Sequence, residues 1–164
     1  MSGIREEAPK RDRKMKNDNR QKMNILFVCS GNTCRSPMAK ALAEELLGDS
    51  AHVESAGIDT SGGEGASQET IGVLRERGIN LQAHRSRNIK KLGKRHWQVV
   101  IAMTPNIKKR LLESKSILTD SLVAWEIPDP INQGDEAYKE CAQSIEARLQ
   151  ELISTMGGKG VSKS

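Results

Sequence analysis

Asn24-Ile25-Leu26-Phe27-Val28-Cys29-Ser30-Gly31-Asn32-Thr33-Cys34-Arg35-Ser36-Pro37-Met38 is the stretch on which the reading of this 164-residue chain turns. Asn24 to Val28 is a short run of β-branched, aromatic and aliphatic residues, the pattern of a buried strand. Ser36-Pro37 followed by Met38 to Leu47 reads as a capped helix with proline at its first position. The loop between them therefore opens onto a helix N-terminus, where free backbone N–H groups and the helix dipole favour an anion. Six positions separate the Cys29 thiol from the Arg35 guanidinium. The helix terminus and the cation both favour a thiolate over a thiol, and Ser36 is placed to donate a hydrogen bond to it. An anion site with a nucleophile at its floor follows.

Outward from this loop, apolar strands alternate with helical patterns. Ala51 to Gly57 has strand alternation. Gln68 to Arg77 has Ile71 and Leu74 at helical spacing, with Gly78 as its stop. Gln98 to Met103 is an apolar strand, a helix starts at Pro105, and a strand around Leu122 to Trp125 runs into Pro128-Asp129-Pro130. From Asp135 to about Thr155, Ala137, Tyr138, Cys141, Ile145, Leu149 and Leu152 share one face of a long amphipathic helix. The order implies an α/β fold, a three-layer sandwich with a parallel sheet and helices on both faces. Ligands in such folds gather at the carboxyl ends of the strands, where Cys29 stands.

Composition narrows the rest. A chain of 164 residues builds one domain with a proper core, without needing disulfides or a metal. Three cysteines, no signal-peptide pattern and no apolar run near membrane length point to a soluble cytoplasmic protein in a reducing compartment, with no membrane partner. The net charge of +5 is inflated by Arg5, Lys10, Arg11, Arg13, Lys14, Lys16, Arg20 and Lys22. Residues 1–22 are expected to be a disordered basic tail, 23–156 the folded domain, and 157–164 a frayed terminus. No aromatic residue interleaves the basic ones, so the tail reads as solvated rather than as a nucleic-acid arm, and it names no partner.

The loop suits phosphoryl transfer. Cys29 supplies the nucleophile, and Arg35 a planar fork that matches two phosphoryl oxygens. The backbone from Ser30 through Gly31, Asn32, Thr33 and Cys34, with Ser36, fills the remaining acceptor positions. Asp129, stiffened between two prolines at the end of the last strand, is the candidate acid that protonates the leaving atom and then activates water. Taken alone, Asp-Pro would merely start a turn.

These residues resemble the low-molecular-weight protein tyrosine phosphatase family, with its C-x5-R-S loop near the N-terminus and its late Asp-Pro. The likeness covers roughly Asn24 to Thr155. It implies a four-stranded parallel sheet, metal-independent hydrolysis without a cofactor, phosphorylated protein substrates and a cysteinyl-phosphate intermediate. It also implies that Asn32, Ser36, Ser55 and His84 form the network holding the phosphate loop. Thr33 matches the arginine-phosphatase members, where tyrosine-specific members carry Ile or Leu, and Ala102-Met103-Thr104 looks like the arginine-phosphatase strand end. Ile131 departs from both patterns, since an aromatic residue is usual after Asp-Pro. Together these positions lean toward phosphoarginine over phosphotyrosine. Phe27, Trp97, Trp125 and Tyr138 read as packing, although Trp125 stands only four residues before Asp129.

Cys34 is close enough in sequence to Cys29 for a reversible disulfide, and Cys141 reads as a buried hydrophobe. Three alternatives share part of this pattern. Thioredoxin-coupled arsenate reductases share the loop but relay a disulfide through further cysteines after the third strand, and residues 78–125 contain none. A non-catalytic phosphate-binding module predicts damage to nucleophile, clamp or acid, and all three are intact. A nucleotide P-loop would need a lysine that the loop lacks.

Overall fold

The computed structural model describes residues 22–160, with side-chain environments through residue 156. The expected basic tail lies outside the described residues apart from Lys22, as does the terminus beyond residue 160.

Strand β1 (Met23–Cys29) is followed by helix α1 (Arg35–Leu47) and strand β2 (Ala51–Gly57). Helix α2 (Gln68–Arg75), the two-residue strand β3 (His96–Trp97), β4 (Val99–Ala102) and helix α3 (Pro105–Ser114) come next. The short strands β5 (Leu118–Thr119) and β6 (Leu122–Ala124) lead to helix α4 (Asp135–Gly160). A four-stranded parallel sheet has the order β2-β1-β4-β6, and β3 pairs with β5 in a separate parallel ribbon.

This order explains the layers. The β1-α1-β2 crossover moves one way across the sheet and β4-α3-β6 moves the other. Right-handed crossovers in opposite directions put their helices on opposite faces. Helix α1 packs on β1 and β2 with α4 against it, while α3 covers β4 and β6. Ile25, Leu26, Phe27 and Val28 are fully buried in the middle of the sheet, as strands covered on both faces must be.

The register aligns the site. Cys29 pairs with Gly57, Val28 with Ala102, and Ala102 with Ala124, so all four strands end at one edge. The loops after β1, β2, β4 and β6 leave from that edge.

Three details differ from the sequence reading. Helix α1 starts at Arg35, so Pro37 is its third residue. The first four helical N–H groups have no intrahelical partner, and proline costs nothing there. Trp125, by contrast, agrees with its reading as packing: it lies just past β6, is buried, and its ring is tilted against Phe27 at 5.7 Å between centroids. Helix α4 continues to Gly160, beyond the last apolar position of its face and into the segment expected to be frayed. The ribbon of β3 and β5 has two residues per strand, too few for a periodic signal.

Candidate active site

The loop from Cys29 to Ser36 is folded around Asn32. Asn32 is fully buried and adopts a left-handed φ of 58°, a conformation asparagine tolerates better than most side chains. That turn aims its backbone N–H at Cys29 Sγ, 3.2 Å away. The Asn32 amide group donates to Ser36 Oγ at 2.8 Å and to Ser55 Oγ at 3.0 Å, and its Oδ1 accepts the Arg87 backbone N–H at 2.9 Å. His84 Nε2 lies 2.7 Å from the Asn32 carbonyl oxygen, so this nitrogen carries the proton and donates. Burial, reinforced by the neighbouring cations, outweighs that bond and pushes the His84 imidazole below its ordinary pKa. The neutral ring is the form that fits.

Ser36 completes the cradle of the sulfur. Its Oγ is 2.9 Å from Cys29 Sγ and 3.4 Å from the Ala56 carbonyl. Because Asn32 already donates into that oxygen, the hydroxyl proton points outward, and the shorter contact is to sulfur. The Cys29 side chain thus faces two donors, an arrangement that suits a thiolate.

Arg35 is buried at the start of α1. One guanidinium nitrogen donates to the Ile127 carbonyl at 3.1 Å, and the other lies 3.7 Å from Asp129 Oδ2. The Asp129 side chain is 47% exposed against 8% for Arg35, so an anchored cation meets an open carboxylate. Asp129 Oδ1 accepts the Ile131 N–H at 3.1 Å, which makes the segment a turn that presents the carboxylate. Ile131 is exposed beside it.

The structure therefore brings Cys29, Asn32, Arg35, Ser36, Ser55, His84 and Asp129 to one sheet edge. The Ser30 hydroxyl donates to Asp59 Oδ2 at 2.7 Å, which leaves its backbone N–H for an anion, as the sequence reading has it. Gly31 has open space around it, with Thr33 Oγ1 at 3.7 Å from the position of an added Cβ. Thr33 is half-buried, and its carbonyl accepts the N–H of Ser67, the cap of α2. The three cysteines are unpaired. Neighbouring Cys141, together with burial, pushes the Cys34 thiol up.

Sequence reasoning missed Gly57 as a packing requirement and Asp59 as a neighbour of the loop. An added Cβ on Gly57 would sit 2.6 Å from the Ser30 carbonyl oxygen. The signal was present in Cys29 and Gly57 ending adjacent strands, but it needs the register to be read. Among the described residues no cluster of three or more His, Cys, Asp or Glu side chains is placed to hold a metal ion.

A parallel α/β sheet whose first βα loop wraps a cysteine in amide and hydroxyl donors, with an arginine and an aspartate opposite, defines a cysteine-dependent phosphatase. The model of the low molecular weight phosphotyrosine protein phosphatase family matches residues 24–162, and the chain belongs to that family. It is 36% identical over 141 residues to a protein-arginine-phosphatase of Geobacillus stearothermophilus, covering 80% of this chain and 95% of the relative. A solved structure of the YwlE arginine phosphatase from that organism superposes with a TM-score of 0.71 at 30% identity, over 87% of this chain and 97% of the other. The low molecular weight protein-tyrosine-phosphatase Wzb of Escherichia coli K12 is 28% identical, over 84% of this chain and 98% of its own. Arsenate reductase 1 of Staphylococcus haemolyticus is also 28% identical, over 82% and 98%. The chain is a protein phosphatase of this family.

Proposed function

We propose that the chain removes phosphate from phosphorylated arginine side chains of proteins, with Cys29, Arg35 and Asp129 as the working groups and residues 23–156 as the catalytic domain. In the first step Cys29 Sγ attacks phosphorus, and the bond from phosphorus to the leaving nitrogen breaks. Asp129 delivers its proton to that nitrogen. Arg35 and the loop amides hold the equatorial oxygens, whose charge grows in the transition state. In the second step Asp129 takes a proton from water, which attacks the cysteinyl-phosphate and releases phosphate and the Cys29 thiolate.

The observation that carries the arginine reading is Thr33, half-buried in the loop between Asn32 and Cys34, where its hydroxyl and smaller apolar surface stand in place of the Ile or Leu of tyrosine-specific members. The likeness to a relative named protein-arginine-phosphatase supports it. Ile131 weakens the phosphotyrosine reading, since an exposed aliphatic side chain gives a phenyl ring no aromatic platform, although it departs from the arginine-phosphatase pattern as well. Unpaired cysteines accord with a reducing, cytoplasmic setting.

The contact between Cys34 and Cys141 bears on the arsenate-reductase alternative, because it brings a third thiol to the loop. Both residues are only 4% exposed, so neither offers an external reductant an accessible sulfur, and phosphatase chemistry is the better reading.

The test compares phosphoarginine and phosphotyrosine peptides. Turnover of both should vanish in Cys29→Ser. Asp129→Ala should lose about 10²-fold or more on a poor leaving group and much less on p-nitrophenyl phosphate. Thr33→Ile should shift the kcat/KM ratio toward phosphotyrosine, and an unchanged ratio would remove Thr33 from the specificity argument.

A further inference from the structure

Asp59 stands on the loop after β2, two residues past the Gly57 that pairs with Cys29. Its backbone N–H donates to the Ser30 carbonyl at 2.9 Å, and its carboxylate accepts the Ser30 hydroxyl at 2.7 Å. A carboxylate is thereby tied at two points to the residue that follows the nucleophile. Beside an anion site, an unbalanced negative charge opposes the ligand. Here it is balanced by Arg110, which reaches up from α3 and binds both carboxylate oxygens, at 2.9 Å and 2.7 Å. This paired geometry and the Ser30 bond hold the Asp59 carboxyl down to about 2, so it is ionised throughout the working range.

We propose that Asp59 and Arg110 are positioning residues for the phosphatase reaction, a charge-balanced clamp that fixes Ser30 and sets the electrostatic potential at the rim of the phosphate loop. The inference rests on the loop being the phosphate site. Asp59 orients the Ser30 peptide through its backbone N–H and so holds the strand-to-loop turn. Arg110 cancels the charge that this orientation would otherwise impose on an incoming phosphoryl group. The two residues are 51 positions apart, so the clamp also fastens the helix on one face of the sheet to the loop at its edge.

The clamp makes a prediction that simple structural support does not. Arg110→Gln keeps a polar side chain but leaves the Asp59 charge unbalanced, and should raise both the KM for a phosphorylated substrate and the inhibition constant of inorganic phosphate by about five-fold. Asp59→Asn keeps an acceptor for Ser30 and leaves the Arg110 charge free, and should lower both constants by a similar factor. The double variant restores neutrality and should return them to within about two-fold of wild type. Raising ionic strength should compress both single-variant shifts while leaving kcat nearly unmoved. If one variant fails to fold, the sign of the shift in the other and its compression by salt decide the question. Equal weakening in both single variants, or no change in either, would overturn the clamp. Loss of turnover in Cys29→Ser, run alongside, separates this outcome from failure of the site itself, because turnover surviving there would overturn both.

Discussion

The two halves of the site are built to different standards. The loop Cys29–Ser36 is buried and cross-tied: Asn32 alone makes bonds to Ser36, Ser55, Arg87 and His84. Every buried side-chain nitrogen or oxygen among the described residues has a hydrogen-bond partner. Asp129, opposite, is exposed, and is held by one turn hydrogen bond and a 3.7 Å approach to Arg35. The difference fits the roles proposed for each half. A cradle for developing negative charge works only if its donors are already aimed, since reorienting them during reaction would cost the stabilisation they provide. A proton donor that later becomes a base needs room for a leaving group to depart and for water to enter.

The contrast breaks most sharply at Asn32. Asn32→Ala removes three side-chain bonds from a fully buried position, leaves the Arg87 N–H without its acceptor, and puts alanine at a left-handed φ. It should cost about 3 kcal/mol in urea unfolding. Asp129→Ala, which the proposed mechanism makes costly for turnover, should stay within about 0.5 kcal/mol of wild type in the same measurement. Similar losses in both variants would mean that the two halves are equally embedded.

Glycines sharpen the same comparison at smaller cost. Gly57 backs the loop and is limited by space: an added Cβ meets the Ser30 carbonyl at 2.6 Å and Asn32 Cβ at 3.1 Å. Gly134, which leads from the Asp129 segment into α4, has a φ of 93° and nothing within 4 Å of an added Cβ. Gly57→Ala should therefore cost about 2 kcal/mol through overpacking and impair turnover with it. Gly134→Ala should cost about 1 kcal/mol from backbone strain alone, with turnover preserved. Impaired turnover in Gly134→Ala would show that the acid half is less tolerant than its exposure suggests.

Legibility from sequence divides along similar lines. The strand, loop and helix around Cys29 were readable because apolar run, turn and helix start are contiguous, and the strand-helix alternation fixed the parallel sheet. Asp129 was readable because two prolines mark it. The Asp59–Arg110 clamp and the Cys34–Cys141 contact were not, because each joins residues from separate elements that carry no local pattern. Cys141 was read correctly as buried but not as the partner of Cys34, since helical periodicity gives a face and not what that face meets. Trp125 was readable as packing, whereas its particular partner, Phe27 on a distant strand, was not.

The smallest expected effect is at His84, where the rigid half carries a titratable group. Burial first, then the positive charges of Lys40, Arg87 and Arg85, oppose protonation of a ring that already spends its Nε2 proton on Asn32. In the unfolded chain the imidazole takes up its proton near the ordinary value of about 6.5, whereas the folded protein resists until lower pH. The unfolded state then binds more protons across that interval, so the stability present above it is lost as pH falls through it. The urea midpoint should drop between about pH 7.5 and about pH 5.5. His84→Gln keeps an N–H for the Asn32 carbonyl while removing the titration, and should flatten that drop. An equal drop in the variant would place the acid sensitivity outside the network that holds the loop.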